Sequence, residues 1–134
     1  DIARLEAEPN IYLLGPRPFA DLPRYIAQFQ VGMIPFVVND LTRAVNPIKL
    51  REMLAAGCPV VSTALPELDA YRKHVAIATD HQEFVDAVLA AAQHPLGEAD
   101  RSALSEVVRD ETWEAKVRRI VEIAAGLQET RGHR

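Results

Sequence analysis

The chain has 134 residues, of which 49% are hydrophobic and 25% are charged, and its formal net charge is −4. This acidic balance argues against a nucleic-acid partner, and no apolar run approaches the ~20 residues that a membrane span needs. The single cysteine, Cys58, cannot form an intrachain disulfide, which predicts a reducing, cytoplasmic setting and a small buried residue. We expect one domain over residues 1–134 and, because the first residue is Asp1, a piece of a longer protein.

Short apolar runs alternate with helical patterns in the first third of the chain. Asp21 is the predicted N-cap of one helix, because Pro23 follows it inside the first turn. A loop that contains Gly15 and Arg17 separates this helix from the strand before it. The predicted elements are a helix at 2–7, a strand at 11–14, a helix from 21, a strand at 31–36 and a polar loop at 38–45.

A capped helix followed by a buried strand is predicted in the middle of the chain. Asn46 is a favoured N-cap, and Pro47 follows at a position where a missing N–H costs nothing. Gly57 supplies the left-handed residue that ends the helix, and Pro59 prevents the helix from continuing. The β-branched residues after Pro59 predict a strand at 60–63 that is buried on both faces.

This helix has two different faces. Leu50, Met53 and Leu54 share one side, which we expect to pack on the sheet. Lys49 and Glu52 share the other side, close to the helix N-terminus, where free N–H groups and the positive dipole end favour phosphate. Lys49 would add a positive charge there, and Glu52 could accept hydrogen bonds from a pair of hydroxyls. A surface ion pair worth only ~0.2–0.5 kcal/mol is the alternative interpretation.

The second half of the chain predicts a last strand and three helices. Asp80 or His81 begins a helix that ends near His94. Trp113 has helical spacing with apolar residues that follow it, so we expect it to pack in the core. The predicted elements are one or two helical turns at 66–71, a strand at 75–78, helices at 81–94, 98–109 and 112–128, and a frayed end at 130–134.

The alternation of apolar strands and helices predicts an α/β fold with a Rossmann-like, doubly wound parallel sheet. Ligands bind such sheets outside the carboxyl ends of the strands. The helix that bears Lys49 and Glu52 begins at this same edge, so we expect one crevice there. The segments at the predicted carboxyl ends are 15–17, 36–45, 62–63 and 79–80.

Other common chemistry has no support in the sequence. There is no Gly-x-Gly-x-x-Gly and no P-loop, which argues against dinucleotide and Walker-type binding. His74, His81, His94 and His133 lie on different elements, and Cys58 is far from any plausible set of partners. We therefore expect no metal site.

The string Pro-x-Lys-x-x-Glu-x-x-Ala-x-Gly-x-Pro-Val-Val, from Pro47 to Val61, resembles the donor-binding segment of retaining glycosyltransferases of family 4. Residues 10–36 are similar to the elements that precede this segment, and residues 39–47 resemble a bacterial subgroup tied to polysaccharide assembly. The resemblance covers residues 10–93 well and the C-terminal helices loosely. It implies the C-terminal, nucleotide-sugar-binding half of the two-Rossmann-domain (GT-B) architecture.

By this likeness, Glu52 would hold the ribose hydroxyls of a nucleotide sugar. Lys49 and the N–H groups of Ile48 and Lys49 would face the diphosphate. An N-terminal domain would bind a saccharide or lipid-linked acceptor, and no metal or other cofactor would be required. The further residues implied to border the base or to approach the donor sugar are Gly15, Arg17, Asn39, Asp40, Thr42 and Asn46.

Three features depart from the family pattern. Ala44 occupies the position of a second, sugar-contacting glutamate, so other side chains must contact the sugar. Ala64 and Leu65 replace a glycine pair before Pro66, which weakens a role in the site for Glu67. The two βα units that open the family's nucleotide domain are absent, so we expect an incomplete Rossmann-like sheet.

The missing units would expose a sheet edge, which invites pairing with another strand. We expect either direct pairing of residues 11–14 with 31–36 or self-association through an intermolecular sheet. Transfer of a hexose by the full-length enzyme is the favoured function, and this fragment alone is expected to be inactive. The alternatives are a GT-B-fold sugar-nucleotide epimerase or hydrolase, and a non-catalytic nucleotide-sugar-binding or interaction module.

Overall fold

In the described part of the chain, three parallel strands form a sheet in which the second strand along the chain is also the central one. The computed structural model describes residues 2–132, with side chains described through residue 127. Within that part, the α/β architecture is the incomplete Rossmann-like sheet expected from the sequence. The strands are β1 (Gly32–Ile34), β2 (Val60–Thr63) and β3 (Val75–Ala78), and Val60 is aligned with Gly32 on one side and with Val75 on the other.

Helices precede, connect and follow the strands, which is what parallel neighbours require. Asp80 caps the helix that directly follows β3, because its carboxylate accepts a 2.9 Å hydrogen bond from the N–H of Glu83. The helices are α1 (Ile2–Glu6), α2 (Leu22–Ile26), α3 (Ile48–Ala55), α4 (His81–Gln93), α5 (Glu98–Glu106) and α6 (Trp113–Gly132), with 3-10 turns at Phe19–Asp21, Thr42–Ala44, Pro66–Tyr71 and Arg109–Glu111.

The core lies between α3, the sheet and the C-terminal helices. Leu50 and Leu54 of α3 are fully buried, as the predicted helix face requires, and Met53 packs at the margin of the same cluster. Burial of each leucine contributes about 1.5–3 kcal/mol. Ser62 in the central strand is also fully buried, and its hydroxyl lies 3.2 Å from the carbonyl oxygen of Ile34, so no buried polar atom is left unsatisfied at this position.

The end of α3 confirms the predicted glycine stop. Gly57 has a φ of +67°, the left-handed conformation that a Cβ disfavours. Its N–H donates to the carbonyl of Leu54 at 2.8 Å, and the N–H of Cys58 donates to that of Met53 at 2.9 Å. These two bonds form a Schellman motif. Cys58 itself is fully buried, as predicted, and burial raises the pKa of its thiol.

The predicted N-cap of α3 is wrong. Pro47 occupies the cap position and no side chain caps the helix, because the Asn46 side chain accepts a hydrogen bond from Arg51 instead. Asp21 does occupy the N-cap position of α2, but its side chain makes no capping hydrogen bond. Both residues are of types that cap helices well, and at Asn46 the contact with Arg51 occupies the side chain instead.

The predicted strand at residues 11–14 is wrong, and so is its direct pairing with 31–36. Residues 11–14 have no regular secondary structure, and Tyr12, Leu13 and Leu14 are exposed. The strand predicted at 31–36 is limited to β1. An apolar run becomes a strand only where a neighbouring strand accepts its hydrogen bonds, and the described residues provide none beside 11–14. Self-association through a sheet edge stays a prediction.

The C-terminal helices also differ from the prediction. The helix predicted at 98–109 ends at Glu106, and a 3-10 turn follows before α6. Trp113 is 82% exposed, and Val117, Ile120 and Val121 are also exposed, so the predicted core packing of Trp113 is wrong. Helical spacing created the apolar stripe but did not bring another element onto it. Of the end predicted to fray, residues 130–132 belong to α6, and 133 and 134 lie outside the described residues.

Candidate functional site

The N-terminus of α3 is built by the turn at Pro47. The N–H groups of Ile48 and Lys49 lie in the first turn of the helix, where no intrahelical carbonyl is available to them. The N–H of Leu50 donates to the carbonyl of Pro47 at 3.0 Å, which tightens this turn. The helix has eight residues, and its dipole presents partial positive charge at this end. The geometry suits a negatively charged group in front of Ile48.

Lys49 and Glu52 contact each other one turn apart. The Nζ atom of Lys49 lies 3.4 Å from Oε2 of Glu52, and the two side chains are 60% and 22% exposed. This is the surface ion pair that the sequence offered as the alternative interpretation, and such pairs are worth at most about 1 kcal/mol. A ligand could therefore separate the two groups at small cost.

Glu52 also lines a cavity of about 240 Å³ between α2 and α3. Apolar side chains form most of the wall, so the carboxylate is the charged group at this opening. Lys49 is not part of the wall and points to solvent. Of the two charged residues on this side of α3, Glu52 borders this cavity and Lys49 does not. The other residues lining this cavity are Phe19, Leu22, Pro23, Ile26, Ala55 and Ala56.

A second cavity, of about 620 Å³, lies at the carboxyl ends of the strands, as predicted for a parallel sheet. Thr63 at the end of β2 contributes to it and donates a 2.8 Å hydrogen bond to the carbonyl of Phe36. Neither Lys49 nor Glu52 lines this cavity. The single crevice expected from the sequence is therefore divided into two openings in the described structure. The other lining segments are residues 35–38, 78–81, Ala64 and Phe84.

Hydrogen bonds within the loop that leads to α3 stabilise its conformation. The side chain of Asn39 accepts a 2.9 Å hydrogen bond from the N–H of Thr42, and the Thr42 hydroxyl oxygen accepts one of 2.8 Å from the N–H of Asn39. The Thr42 hydroxyl also donates to the carbonyl of Val37 at 2.6 Å. Two of the four candidate sugar contacts between residues 39 and 46, Asn39 and Thr42, thus have local structural roles, while Asp40 is exposed.

Gly15 and Arg17 lie in the exposed segment before α2. Gly15 has a φ of +67° with open space around its α-carbon, so it serves as a turn residue. The guanidinium of Arg17 lies 5.7 Å from the centroid of the Tyr25 ring, a cation–π distance. Among the residues that the structure describes, no hydrogen bond or ion pair joins Gly15 or Arg17 to α3.

Arg51 is a residue that the sequence interpretation missed. Its guanidinium donates to Asn46, to Glu111 at 3.1 Å and to Glu67 at 3.5 Å, so the Glu67 carboxylate pairs with a side chain of α3. Burial alone lowers the pKa of Arg51, but the hydrogen bond to Glu111 and the nearby negative charge outweigh it and raise the pKa above its ordinary value. No local pattern could have revealed a contact between residues 60 positions apart.

The described part of the chain holds neither a metal-binding cluster nor a membrane-spanning helix. Between residues 2 and 132, no group of three or more His, Cys, Asp or Glu side chains is arranged to hold a metal ion. His133, one of the four scattered histidines, lies outside those residues. None of the described helices combines the length and apolar character of a membrane span. Ala44 is exposed in the 3-10 turn before α3.

The sequence is similar to glycosyltransferases along most of its length. A family model described as "Glycosyl transferases group 1" matches residues 1–94. A curated relative from Bacillus subtilis (strain 168), named "Putative teichuronic acid biosynthesis glycosyltransferase TuaH", is 31% identical over 127 residues. The match covers 90% of this chain but 31% of the relative, so the chain spans about a third of that protein's length. No solved structure matches the chain.

Proposed function

This chain belongs to the group 1 glycosyltransferases, and from that premise we propose that it forms the donor-binding part of a retaining enzyme of GT-B architecture. The full protein would transfer a hexose from a nucleoside-diphosphate sugar to a saccharide or lipid-linked acceptor. The observation that carries this proposal is the position of Glu52. Its carboxylate borders the cavity between α2 and α3 and lies 3.4 Å from Lys49, in the first two turns of α3.

The diphosphate and the ribose of the proposed donor each have a binding group in α3. The diphosphate lies in front of the N–H groups of Ile48 and Lys49, where the helix dipole and the Lys49 ammonium both attract negative charge. Lys49 leaves Glu52 to contact a phosphate oxygen, and Glu52 then accepts hydrogen bonds from the ribose hydroxyls. The small Ala55 and Ala56 leave room for the nucleoside beside Glu52.

The remaining candidates surround this position. The segment with Gly15 and Arg17 would border the base, and an Arg17 that stacks on Tyr25 is available for that purpose. The loop before α3 would approach the sugar through Asp40 and through the free amide hydrogens of Asn39 and Asn46. Thr42 would act by keeping this loop in shape, because its hydroxyl is occupied by the loop backbone.

Catalysis in this proposal is mainly electrostatic. The leaving diphosphate gains negative charge as the glycosidic bond breaks, and preorganised positive groups stabilise that charge. The helix N-terminus and Lys49 would supply part of this positive charge, and further basic residues of the full protein would supply the rest. We propose that this scheme requires no divalent metal. The name of the relative and the resemblance of residues 39–47 to a polysaccharide-assembly subgroup support a saccharide acceptor.

Titration with UDP, GDP and ADP by calorimetry tests the proposal. We expect one nucleotide to bind best and Glu52→Ala to weaken it by about 1.5–3 kcal/mol, as for loss of a hydrogen bond to a charged group. Glu122→Ala is the matched control, because Glu122 forms the same kind of i,i+3 pair with Arg119, at 3.6 Å, on α6.

One specific observation favours a second candidate, a non-catalytic nucleotide-sugar-binding or interaction module. Ala44 stands where the family has a sugar-contacting glutamate, and it is exposed with no functional group to offer. An equal, weak response to all three nucleotides that Glu52→Ala does not change would contradict donor binding at α3 and favour this module.

A further inference from the structure

Arg51 connects α3 to three other parts of the chain. Its side chain is 20% exposed, although it carries a full charge. The partners are Asn46 in the preceding loop, Glu67 in the turn Pro66–Tyr71 and Glu111 in the turn Arg109–Glu111. The guanidinium also lies 5.9 Å from the centroid of the Tyr71 ring. A planar group with five N–H donors can serve several acceptors at once.

The other ion pairs of the described residues are local. Lys49–Glu52, Arg72–Asp69, Arg109–Glu106 and Arg119–Glu122 are all i,i+3 pairs, and Lys116 contacts Glu111 five residues away. Local pairs on exposed helices contribute little and position nothing beyond their own turn. Arg51 is different because its carboxylate partners are 16 and 60 positions away.

The contact of Arg51 with Asn46 lies directly before the start of α3. Asn46 precedes the cap position of α3, and α3 has no side-chain cap. The loop before it is held at its start by the reciprocal bonds of Asn39 and Thr42. The bond from Arg51 to Asn46 holds its other end. Between these two anchors, the N–H of Val45 donates to Thr42 at 3.1 Å.

We propose that Arg51 is a positioning residue, which fixes Asn46 and the end of the loop 39–46 against the N-terminus of α3. The Glu67 and Glu111 carboxylates orient the guanidinium for this purpose, and Lys116, 2.7 Å from Glu111, balances the second carboxylate. The relevance to donor binding rests on the proposed function, because that loop is the one expected to approach the donor sugar. The positioning itself depends only on contacts within the chain.

Hydrogen exchange of the loop amides measures this positioning directly. In Arg51→Lys we expect the Ala44 and Val45 amides to exchange about tenfold faster, because an ammonium cannot serve three acceptors in a planar fork. The amides of β2 should keep their wild-type rates. Arg119→Lys is the matched control, since Arg119 is 73% exposed and pairs with Glu122 three residues away, and it should change neither set.

Two substitutions of Asn46 separate positioning from general stability. Asn46→Asp keeps an acceptor for Arg51 and should preserve slow exchange, whereas Asn46→Ala should accelerate Ala44 and Val45 as Arg51→Lys does. In the double variant Arg51→Lys/Asn46→Ala, loop exchange should be no faster than in either single variant, since both substitutions remove the same Arg51–Asn46 contact. Unchanged loop exchange in Arg51→Lys, or equal acceleration of the loop and β2, would overturn the proposal.

The nucleotide titration of the same proteins keeps the two proposals apart. If the wild-type chain binds none of UDP, GDP and ADP, the proposed function fails, and the exchange rates still decide the role of Arg51. If nucleotide binds and loop exchange is insensitive to Arg51→Lys, the function stands and the positioning role is lost.

Discussion

The Nζ atom of Lys49 lies 3.4 Å from Oε2 of Glu52, and the lysine is the more exposed partner, at 60% against 22%. The carboxylate is thus held by the helix surface while the ammonium can move into solvent. A pair of this kind adds little to stability, yet it places opposite charges side by side at a helix N-terminus. Stability and ligand affinity should therefore respond differently to changes at Lys49.

We expect Lys49→Ala to change the free energy of unfolding by less than about 0.5 kcal/mol. The same change should weaken nucleoside-diphosphate binding by about tenfold or more, because a charge-assisted hydrogen bond to phosphate is lost. Urea denaturation and calorimetric titration provide the two measurements. Lys73→Ala, at an exposed position outside the site, is the control. Equal nucleotide affinity in both variants would contradict a diphosphate site at the N-terminus of α3.

Gly57→Ala should destabilise the protein by roughly 2–4 kcal/mol. The residue has a φ of +67°, and an added Cβ would lie 2.7 Å from the carbonyl oxygen of Arg101 and 3.0 Å from its Cβ. Gly15→Ala is a matched control, because Gly15 has the same φ with nothing within 4 Å. It should cost only the conformational strain of about 1–2 kcal/mol. Chemical denaturation followed by circular dichroism measures both, and equal costs would show that contact with Arg101 is unimportant.

Leu54→Ala should cost about 2–5 kcal/mol of unfolding free energy, because the side chain is fully buried in the main core cluster. Ile48→Ala in the same helix is the control. Ile48 is 64% exposed, so its truncation should cost less than about 0.5 kcal/mol. The comparison uses the same denaturation experiment, and similar losses in both variants would contradict the assigned faces of α3.

Acid should weaken the start of α4 through Glu83. The N–H of Thr79, at 2.8 Å, and then its hydroxyl, at 2.7 Å, donate to the Glu83 carboxylate and lower its pKa. Because the pKa is lower in the folded than in the unfolded chain, this contribution is complete above the ordinary carboxyl range and is lost as the pH falls below about 5.

NMR observation of the Thr79 amide during acid titration measures this effect. Its chemical shift should follow the protonation of Glu83 in the wild type and lose that dependence in Glu83→Gln. A Thr79 amide that titrates identically in both proteins would show that another group causes the change.

Sequence patterns predicted the local parts of α3 well. The stop at Gly57 and the buried side with Leu50 and Leu54 depend on interactions within one or two turns. The cap at Asp80 is equally local, since its partner is Glu83. The predicted cap at Asn46 was wrong because Arg51 competes for that side chain.

The prediction also failed where the outcome depends on a distant or absent neighbour. The apolar run at 11–14 has strand composition but no strand beside it in the described residues. Trp113 begins an amphipathic helix whose apolar side remains exposed. For the candidate site, spacing predicted that Lys49 and Glu52 share one side of α3, but it could not predict that Glu52, and not Lys49, would line the cavity between α2 and α3.

By itself, the order of residues determined helix periodicity, the glycine stop after α3, the parallel α/β class and the family to which the chain is similar. The periodicity and the glycine stop follow from backbone conformation and from contacts within a few positions. The parallel class follows from the alternation of apolar strands with helices. The tertiary structure alone decided that Arg51 joins Asn46, Glu67 and Glu111, and that Glu52 and the carboxyl ends of the strands border separate cavities. Such features require segments far apart in the chain to meet, and their geometry depends on how the whole core packs.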